Sequence, residues 1–257
     1  MTIGEHELRR FYEDQYGKVD ESFIRWRLLC AEDKVRNIVD LTRGMNFGSV
    51  IDIGSGTGAV IKRLSEMDFA ESYYAVDLSE RAIRIVRSAG IKGLRGALVA
   101  DAAMLPFSDK SFDLAILSHI LEHVAEPKAV LREASRIARL VFVEIPIENT
   151  PILNFTWWLR KIIRGKKRPD NRYGHVIFFT ERSADDLYRR EGLVKRRSRR
   201  YILDRERMLF QKRGFWYIYN YLIYLLSRLL GGRLTARLYY CHYAALLKGV
   251  RDGGEGA

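Results

Sequence analysis

The chain has 257 residues, 47% hydrophobic and 30% charged, which excludes a disordered or fibrous protein and leaves room for an α/β domain with a sizeable core. Its two cysteines, Cys30 and Cys241, stand far apart and outside any Cys/His cluster, so neither a disulfide framework nor a zinc site is expected and a reducing cytosol is the natural setting. The net charge of +12 is confined: residues 1–150 carry 20 Lys/Arg against 23 Asp/Glu, residues 151–213 carry 19 against 7, and the remainder 5 against 2.

A localised basic block suits an anionic partner such as phosphate, nucleic acid or an acidic membrane surface, or else a solvated face that keeps the protein soluble. The N-terminus is polar and shows no apolar signal segment, so no export signal is expected. Residues 5–47 read as a helical extension, with Phe11, Tyr12, Tyr16, Phe23, Trp26, Leu29 and Val35 at roughly helical spacing. Strands and helices then alternate. Ser49–Ile53 is a short apolar strand before glycines and a helix near Ala59–Met67; Tyr73–Asp77 is a second strand, with Ser79 placed to cap a helix over Glu80–Ala89. A third strand falls near Leu94–Ala100, a fourth at Phe112–Leu117 with a helix near Pro127–Ile137, and a fifth at Leu140–Ile145. Alternating βα units predict an α/β, doubly wound, mostly parallel sheet with helices on both faces.

After the fifth strand come a helical stretch around Phe155–Ile163, the basic loop Arg164–Pro169, and the segment Gly174-His175-Val176-Ile177-Phe178-Phe179-Thr180. A helix to about Glu191, a strand near Lys195–Leu203, an apolar segment over Phe215–Leu230 and a final strand over Ala236–Lys248 follow. The expected organisation is a helical extension (1–47), a ligand-binding core (48–150), the C-terminal part of the sheet with basic and apolar helical insertions (151–250), and a frayed Gly-rich tail (251–257).

The strongest motif is Val50-Ile51-Asp52-Ile53-Gly54-Ser55-Gly56-Thr57-Gly58, at the first strand-to-helix turn. Glycines let the backbone approach a ligand, and the helix N-terminus offers free N–H groups. Alone, this pattern is equally a tight structural turn. Asp77 ends the second strand 19 residues after Gly58, where a carboxylate can accept both hydroxyls of a ribose. Asp101-Ala102 follows the third strand, and Phe112-Asp113 opens a fourth that exits through Ser118-His119-Ile120-Leu121-Glu122-His123-Val124.

Together these residues resemble the class I S-adenosylmethionine-dependent methyltransferases, closely over about residues 45–150 and more loosely through His175–Thr180. The GxGxG spacing and the Pro-Phe…Phe-Asp segment disfavour a nicotinamide-binding site. The resemblance implies a seven-stranded Rossmann-like sheet with a C-terminal lid or insertion, S-adenosylmethionine as cofactor and no metal. It further implies that Asp52, Gly54, Ser55, Gly56 and Gly58 line the methionine and ribose end, that Asp77 holds the ribose diol with Leu78 against the adenine, that Asp101 and the Ala102 amide meet the adenine edge, and that Ser118 and His119 lie under the cofactor near its methyl group. Tyr16 and Arg25 of the N-terminal extension are candidates to close over the cofactor carboxylate.

Methyl transfer is an in-line displacement from a sulfonium, so the protein mainly aligns the acceptor and excludes water. A base is needed only where the acceptor must lose a proton early. His119 is the first candidate, with His123 and Glu144 beside it and Glu148 and His175 as further rivals; structural roles for His123 and His175 are the favoured alternative.

Phe215–Leu230 is aromatic, apolar almost all round and flanked by Arg205, Arg207, Lys212, Arg213, Arg233 and Arg237. It is shorter than the roughly 20 residues that span a bilayer. Three readings stay open: a buried lid or dimer helix, contact with an anionic membrane or a lipid-linked acceptor, and RNA binding with the basic 151–213 region. The expectation is a cytoplasmic methyltransferase, peripheral to the inner membrane face, acting on a small or lipid-linked acceptor, with an RNA methyltransferase as the alternative and homo-oligomerisation left open.

Overall fold

The computed structural model describes residues 5–17, 19–147, 150–151, 154, 158, 162, 175–202, 205–210, 214–238 and 241–249. The expected helix around 155–163 and the basic loop 164–169 lie outside the described residues, apart from Trp158 and Ile162.

Helices α1 (Glu5–Tyr16) and α2 (Glu21–Leu41) precede β1 (Phe47–Ile53), α3 (Ala59–Glu66), β2 (Ala70–Asp77), α4 (Glu80–Ser88), β3 (Leu94–Val99) and β4 (Phe112–Ser118). Then come α5 (Pro127–Ile137), β5 (Ala138–Ile147), α6 (Glu181–Arg190), β6 (Leu193–Tyr201), α7 (Arg205–Leu209), α8 (Gly214–Leu230), α9 (Gly232–Leu238) and β7 (Cys241–Gly249). Local signals explain several boundaries. Asp20 caps α2 by accepting from Phe23 N, Ser79 caps α4 by accepting from Ala82 N, and Thr180 with Ser183 forms a capping box on α6.

The strands form one seven-stranded sheet in the order β3-β2-β1-β4-β5-β7-β6. The first five are parallel, while β7 runs antiparallel between β5 and β6. Side chains alternate between its faces, as a pleated strand requires: Leu114 and Ile116 pack toward α2, α3 and α4, and Ala115 and Leu117 pack toward α5 and α6. Chain order reverses between β1 and β4, which opens a crevice beyond their carboxyl ends.

Three sequence boundaries are corrected. The N-terminal helical region stops at Leu41, and Phe47 already belongs to β1, buried and paired opposite Ala70. The last strand begins at Cys241 rather than Ala236: Gly231, at φ +79°, ends α8, and a short helix then buries Thr235 and Ala236. The strand expected near Lys195–Leu203 starts and ends two residues earlier, as β6, whereas the helix expected near Pro127–Ile137 is found there, its proline at a first helical position.

Candidate active site

The glycine turn after β1 is held from beneath by β2. The N–H groups of Gly54 and Ser55 donate to the carbonyl of Val76 at 2.8 and 3.0 Å. Gly54 and Gly56 have φ of +74° and +55°, where a side chain is strained. A Cβ on Gly54 would lie 2.9 Å from Ile120 Cδ1, and one on Gly56 would lie 2.7 Å from both Arg27 Nη2 and Tyr16 Oη. Only glycine leaves room there.

Asp77 ties this turn to the end of β2. Its Oδ2 accepts from Gly56 N at 2.8 Å and its Oδ1 from Ser79 N at 2.9 Å. Burial raises its carboxyl above the usual aspartate value, and the donors from Ser79 and Gly56 oppose that rise. Asp52 is buried more completely and pushed up to about 7 by that burial, opposed by Lys34 and Arg27 and reinforced by Asp77. Lys34, buried on α2, is pushed down to about 8 for the same reason, with Glu144 opposing.

The Asp52 shift has a consequence for stability. Between pH 4 and 7 the folded chain binds a proton at Asp52 that the unfolded chain has lost, so this carboxyl's contribution falls as pH rises through its folded value. Asp52→Asn is therefore expected to raise the melting temperature, relative to the parent, more at pH 8 than at pH 5. A difference independent of pH across that window would show that Asp52 ionises normally.

Helix α1 lies over the turn. Glu13 Oε1 accepts from Glu80 N at 2.6 Å at the start of α4, Tyr12 and Tyr16 stack with ring centroids 6.4 Å apart, and Tyr12 meets His123 edge-on at 6.0 Å. Burial pushes the Tyr16 hydroxyl up to about 12. Arg25 is exposed on α2, whereas Arg27 reaches Gly56; two residues turn a helix by about 200°, so the two arginines face opposite ways. Arg27 thus stands where the sequence placed Arg25. Leu78 and Ala102 are half-buried, and Asp101 is exposed, its Oδ1 accepting from Ala103 N at 2.9 Å.

At the exit of β4, His119 sits at φ +59° with both ring nitrogens facing buried carboxylates: Nδ1 is 3.0 Å from Glu122 Oε1 and Nε2 is 3.0 Å from Glu144 Oε1. Burial raises both carboxyls, but His119 more than offsets it and leaves both below the usual glutamate value. Glu144, which the sequence offered as a base, is 0% exposed and directed at His119. Behind His119 stands His242, 4.7 Å away between ring centroids, its Nδ1 3.0 Å from Tyr201 Oη. Burial drives His242 well below the ordinary imidazole value. Glu148, the other acidic rival, lies outside the described residues.

Residues 51–140 match the family model described as a methyltransferase domain. The chain carries a class I S-adenosylmethionine-dependent methyltransferase domain. It is 25% identical over 182 residues to an uncharacterised protein of Methanocaldococcus jannaschii, covering 70% of this chain and 78% of that one. It is 33% identical over 120 residues to a demethylmenaquinone methyltransferase of Roseiflexus castenholzii, covering 44% of this chain and 49% of that enzyme, so it spans about half the length of this relative. Its fold resembles magnesium protoporphyrin IX methyltransferase from Synechocystis PCC 6803, crystallised with bound SAH, at a TM-score of 0.60 with 13% identity, covering 96% of this chain and 100% of that one.

The cofactor of the methyltransferase is S-adenosylmethionine, and the residues around the glycine turn fit it. Asp52 Oδ2, Ser55 Oγ and Ser118 Oγ are buried polar atoms with no protein partner, the condition expected where ligand groups complete the hydrogen bonding. Sequence reasoning missed Tyr12, Arg27, Lys34, Tyr201 and His242. One signal was available for Lys34: it falls on the same stretch of α2 as the buried Ala31, Val35 and Ile38, and a charge among apolar positions is informative.

Proposed function

We propose that this methyltransferase acts on a small, lipid-like acceptor at an anionic membrane surface. The observation that carries this reading is α8. Ile218, Leu222, Leu225, Leu226 and Leu229 recur at helical spacing and are exposed, Leu229 by 83%, and the helix packs mainly on its neighbours α7 and α9. Of the three open readings, this exposure supports contact with a surface outside the chain. Tyr217, Tyr221 and Tyr224 stack along the same helix at 6.2 and 6.4 Å, and Arg228 and Arg237 are exposed near its end. Aromatic and aliphatic side chains bordered by arginine suit a helix lying in the headgroup boundary. Among the described residues no helix is long and apolar enough to cross a membrane. The demethylmenaquinone methyltransferase among the relatives supports an acceptor of this kind.

Four of the five basic residues of β6 favour RNA less, because protein groups engage them. Lys195 meets Asp185 and Tyr243, Arg197 donates to the carbonyls of Leu41 and Arg43, and Arg199 and Arg200 pair with Asp40 and Glu181. Cations held this way are poor phosphate contacts.

S-adenosylmethionine supplies a methyl group on a sulfonium when bound. The chain's part is alignment: Asp77 and the glycine turn hold the ribose end, Tyr16 and Arg27 cover the turn, and Ser118 with His119 forms the floor toward the acceptor. His119 and His123, with side chains 19% and 16% exposed, are the accessible edge of a cluster whose carboxylates are buried.

Flotation with phosphatidylglycerol vesicles tests the reading. The parent chain is expected to float, and Leu222→Glu with Leu226→Glu is expected to abolish flotation while leaving S-adenosylhomocysteine binding intact. Equal flotation of both proteins, or none by the parent, removes the membrane surface from the proposal.

A further inference from the structure

Four of the five histidines in the chain converge on one place. His119 and His123 come from the β4 exit, His175 from the segment before α6, and His242 from β7. The ring centroids of His119 and His242 are 4.7 Å apart, and those of His123 and His175 are 4.8 Å apart. Glu122 and Glu144 are buried between them.

The two halves of this cluster differ. In the first, Glu144 faces His119 and has Lys34 and Arg207 as further positive neighbours, while His242 pairs with Tyr201. In the second, ligand atoms of Glu122, His123 and His175 lie within 4.8 Å of one another. Glu122 is 1% exposed, and the charged groups that act most strongly on its carboxylate are imidazoles, His119 first and then His123. Its Oε1 is 3.0 Å from His119 Nδ1 and 3.9 Å from His123 Nε2, yet neither carboxylate oxygen has an aligned hydrogen bond. A buried carboxylate whose oxygens lack hydrogen-bond partners has lone pairs open to a bound cation. The backbone reinforces the arrangement: Val176 N and Ile177 N donate to the Glu122 carbonyl at 2.7 and 3.1 Å, fastening the residue after His175 to Glu122 itself.

We propose that Glu122, His123 and His175 form a binding site for a divalent transition-metal ion, Zn²⁺ in the first instance. One carboxylate and two imidazoles are a donor set that zinc accepts with a fourth position open, whereas Mg²⁺ and Ca²⁺ prefer oxygen donors throughout. The partial exposure of His123, beside Tyr12 of α1, leaves one side of the site open, and Glu122 links the site to His119. An ion there would take an oxygen of the acceptor or a water, adding a fixed positive charge where the acceptor must be oriented. The site does not depend on the membrane reading.

The test uses the full chain without a polyhistidine tag, stripped with chelator and titrated with Zn²⁺ against a chromophoric competitor, and with Co²⁺ followed by its visible absorption. One equivalent of Zn²⁺ is expected to bind, with Mg²⁺ failing to compete. Losing an outer partner of a metal ligand typically weakens binding 10–100-fold, so removing a ligand itself, in Glu122→Gln or His175→Ala, is expected to weaken it by about 100-fold or more. His242→Phe is expected to leave the affinity and the cobalt spectrum unchanged. S-adenosylhomocysteine binding by calorimetry reports that each variant is folded. A folded parent chain that takes up no Zn²⁺ overturns the proposal, as does affinity unchanged in folded His175→Ala or lost only in His242→Phe.

Discussion

Replacing Asp77 with alanine is expected to weaken S-adenosylmethionine binding by ten-fold or more, read by titration calorimetry. The carboxylate acts twice. It accepts from Gly56 N and Ser79 N at 2.8 and 2.9 Å, so its loss unpins the glycine turn and leaves donors unsatisfied. In the proposed binding mode it also accepts from the ribose hydroxyls. Hydrogen bonds to a charged group contribute about 1.5–3 kcal/mol each, and about 1.4 kcal/mol is a factor of ten; losing a single one accounts for the expected change. Asp77→Asn keeps an acceptor for Gly56 N and should fall between the two. Asp101→Ala, at an exposed carboxylate, should matter less. A dissociation constant unchanged in Asp77→Ala would take Asp77 out of the site.

His119→Ala is expected to be the most destabilising single change in the site. The imidazole stands between two carboxylates that are 1% and 0% exposed, 3.0 Å from each, with its Nε2 at hydrogen-bond distance from Glu144 Oε1. Removing one partner from a buried ion pair typically costs about 3–5 kcal/mol, because the remaining charge stays buried without compensation. For a chain of this size that corresponds to a fall in melting temperature of roughly 10 °C. None of that loss belongs to the backbone, since histidine and alanine both carry a Cβ at φ +59°. His119→Gly relieves the strain of that conformation and leaves the carboxylates exposed to each other, so the gap between the two variants, about 1 kcal/mol, reads the strain. Adding Glu144→Gln to His119→Ala should recover part of the stability, a coupling that a double-mutant cycle isolates. A melting temperature within about 3 °C of the parent would show that His119 does not balance these carboxylates.

The alanine variant should also slow methyl transfer, because the floor beside Ser118 is lost. The geometry shifts emphasis within the candidate residues here. Both nitrogens of His119 already face protein carboxylates, so its first role is to hold Glu122 and Glu144 in one ionised cluster. Proton removal from an acceptor would require one of those contacts to open.

Much of the fold could be read from local pattern. The apolar runs at Val50–Ile53, Tyr73–Asp77 and Phe112–Leu117 bury both faces over most of their length, as inner strands of a sheet covered by helices on both sides do. The glycines of Gly54-Ser55-Gly56-Thr57-Gly58 and the carboxylate of Asp77 work through backbone geometry and spacing within a single βαβ unit. Their positions therefore followed from chain order, whereas the seven-stranded sheet and the methyltransferase class came from the family resemblance that these residues carry.

What tertiary structure alone decided involves residues far apart in sequence. Nothing local distinguishes Arg25 from Arg27; the rotation of α2 against the glycine turn makes that choice. Ala236 lies in a helix because the turn at Gly231 and the burial of Thr235 and Ala236 outweigh the strand-like composition that follows. The cysteine spacing gave the expectation of neither a disulfide framework nor a zinc site, and it carried no information on where distant histidines meet. His119, His123, His175 and His242 span more than a hundred residues, and only the antiparallel insertion of β7 beside β5 carries His242 to His119. Side-chain chemistry and short-range spacing are written in the sequence, but the meeting of distant charged groups in a buried place depends on strand order, which no single segment encodes.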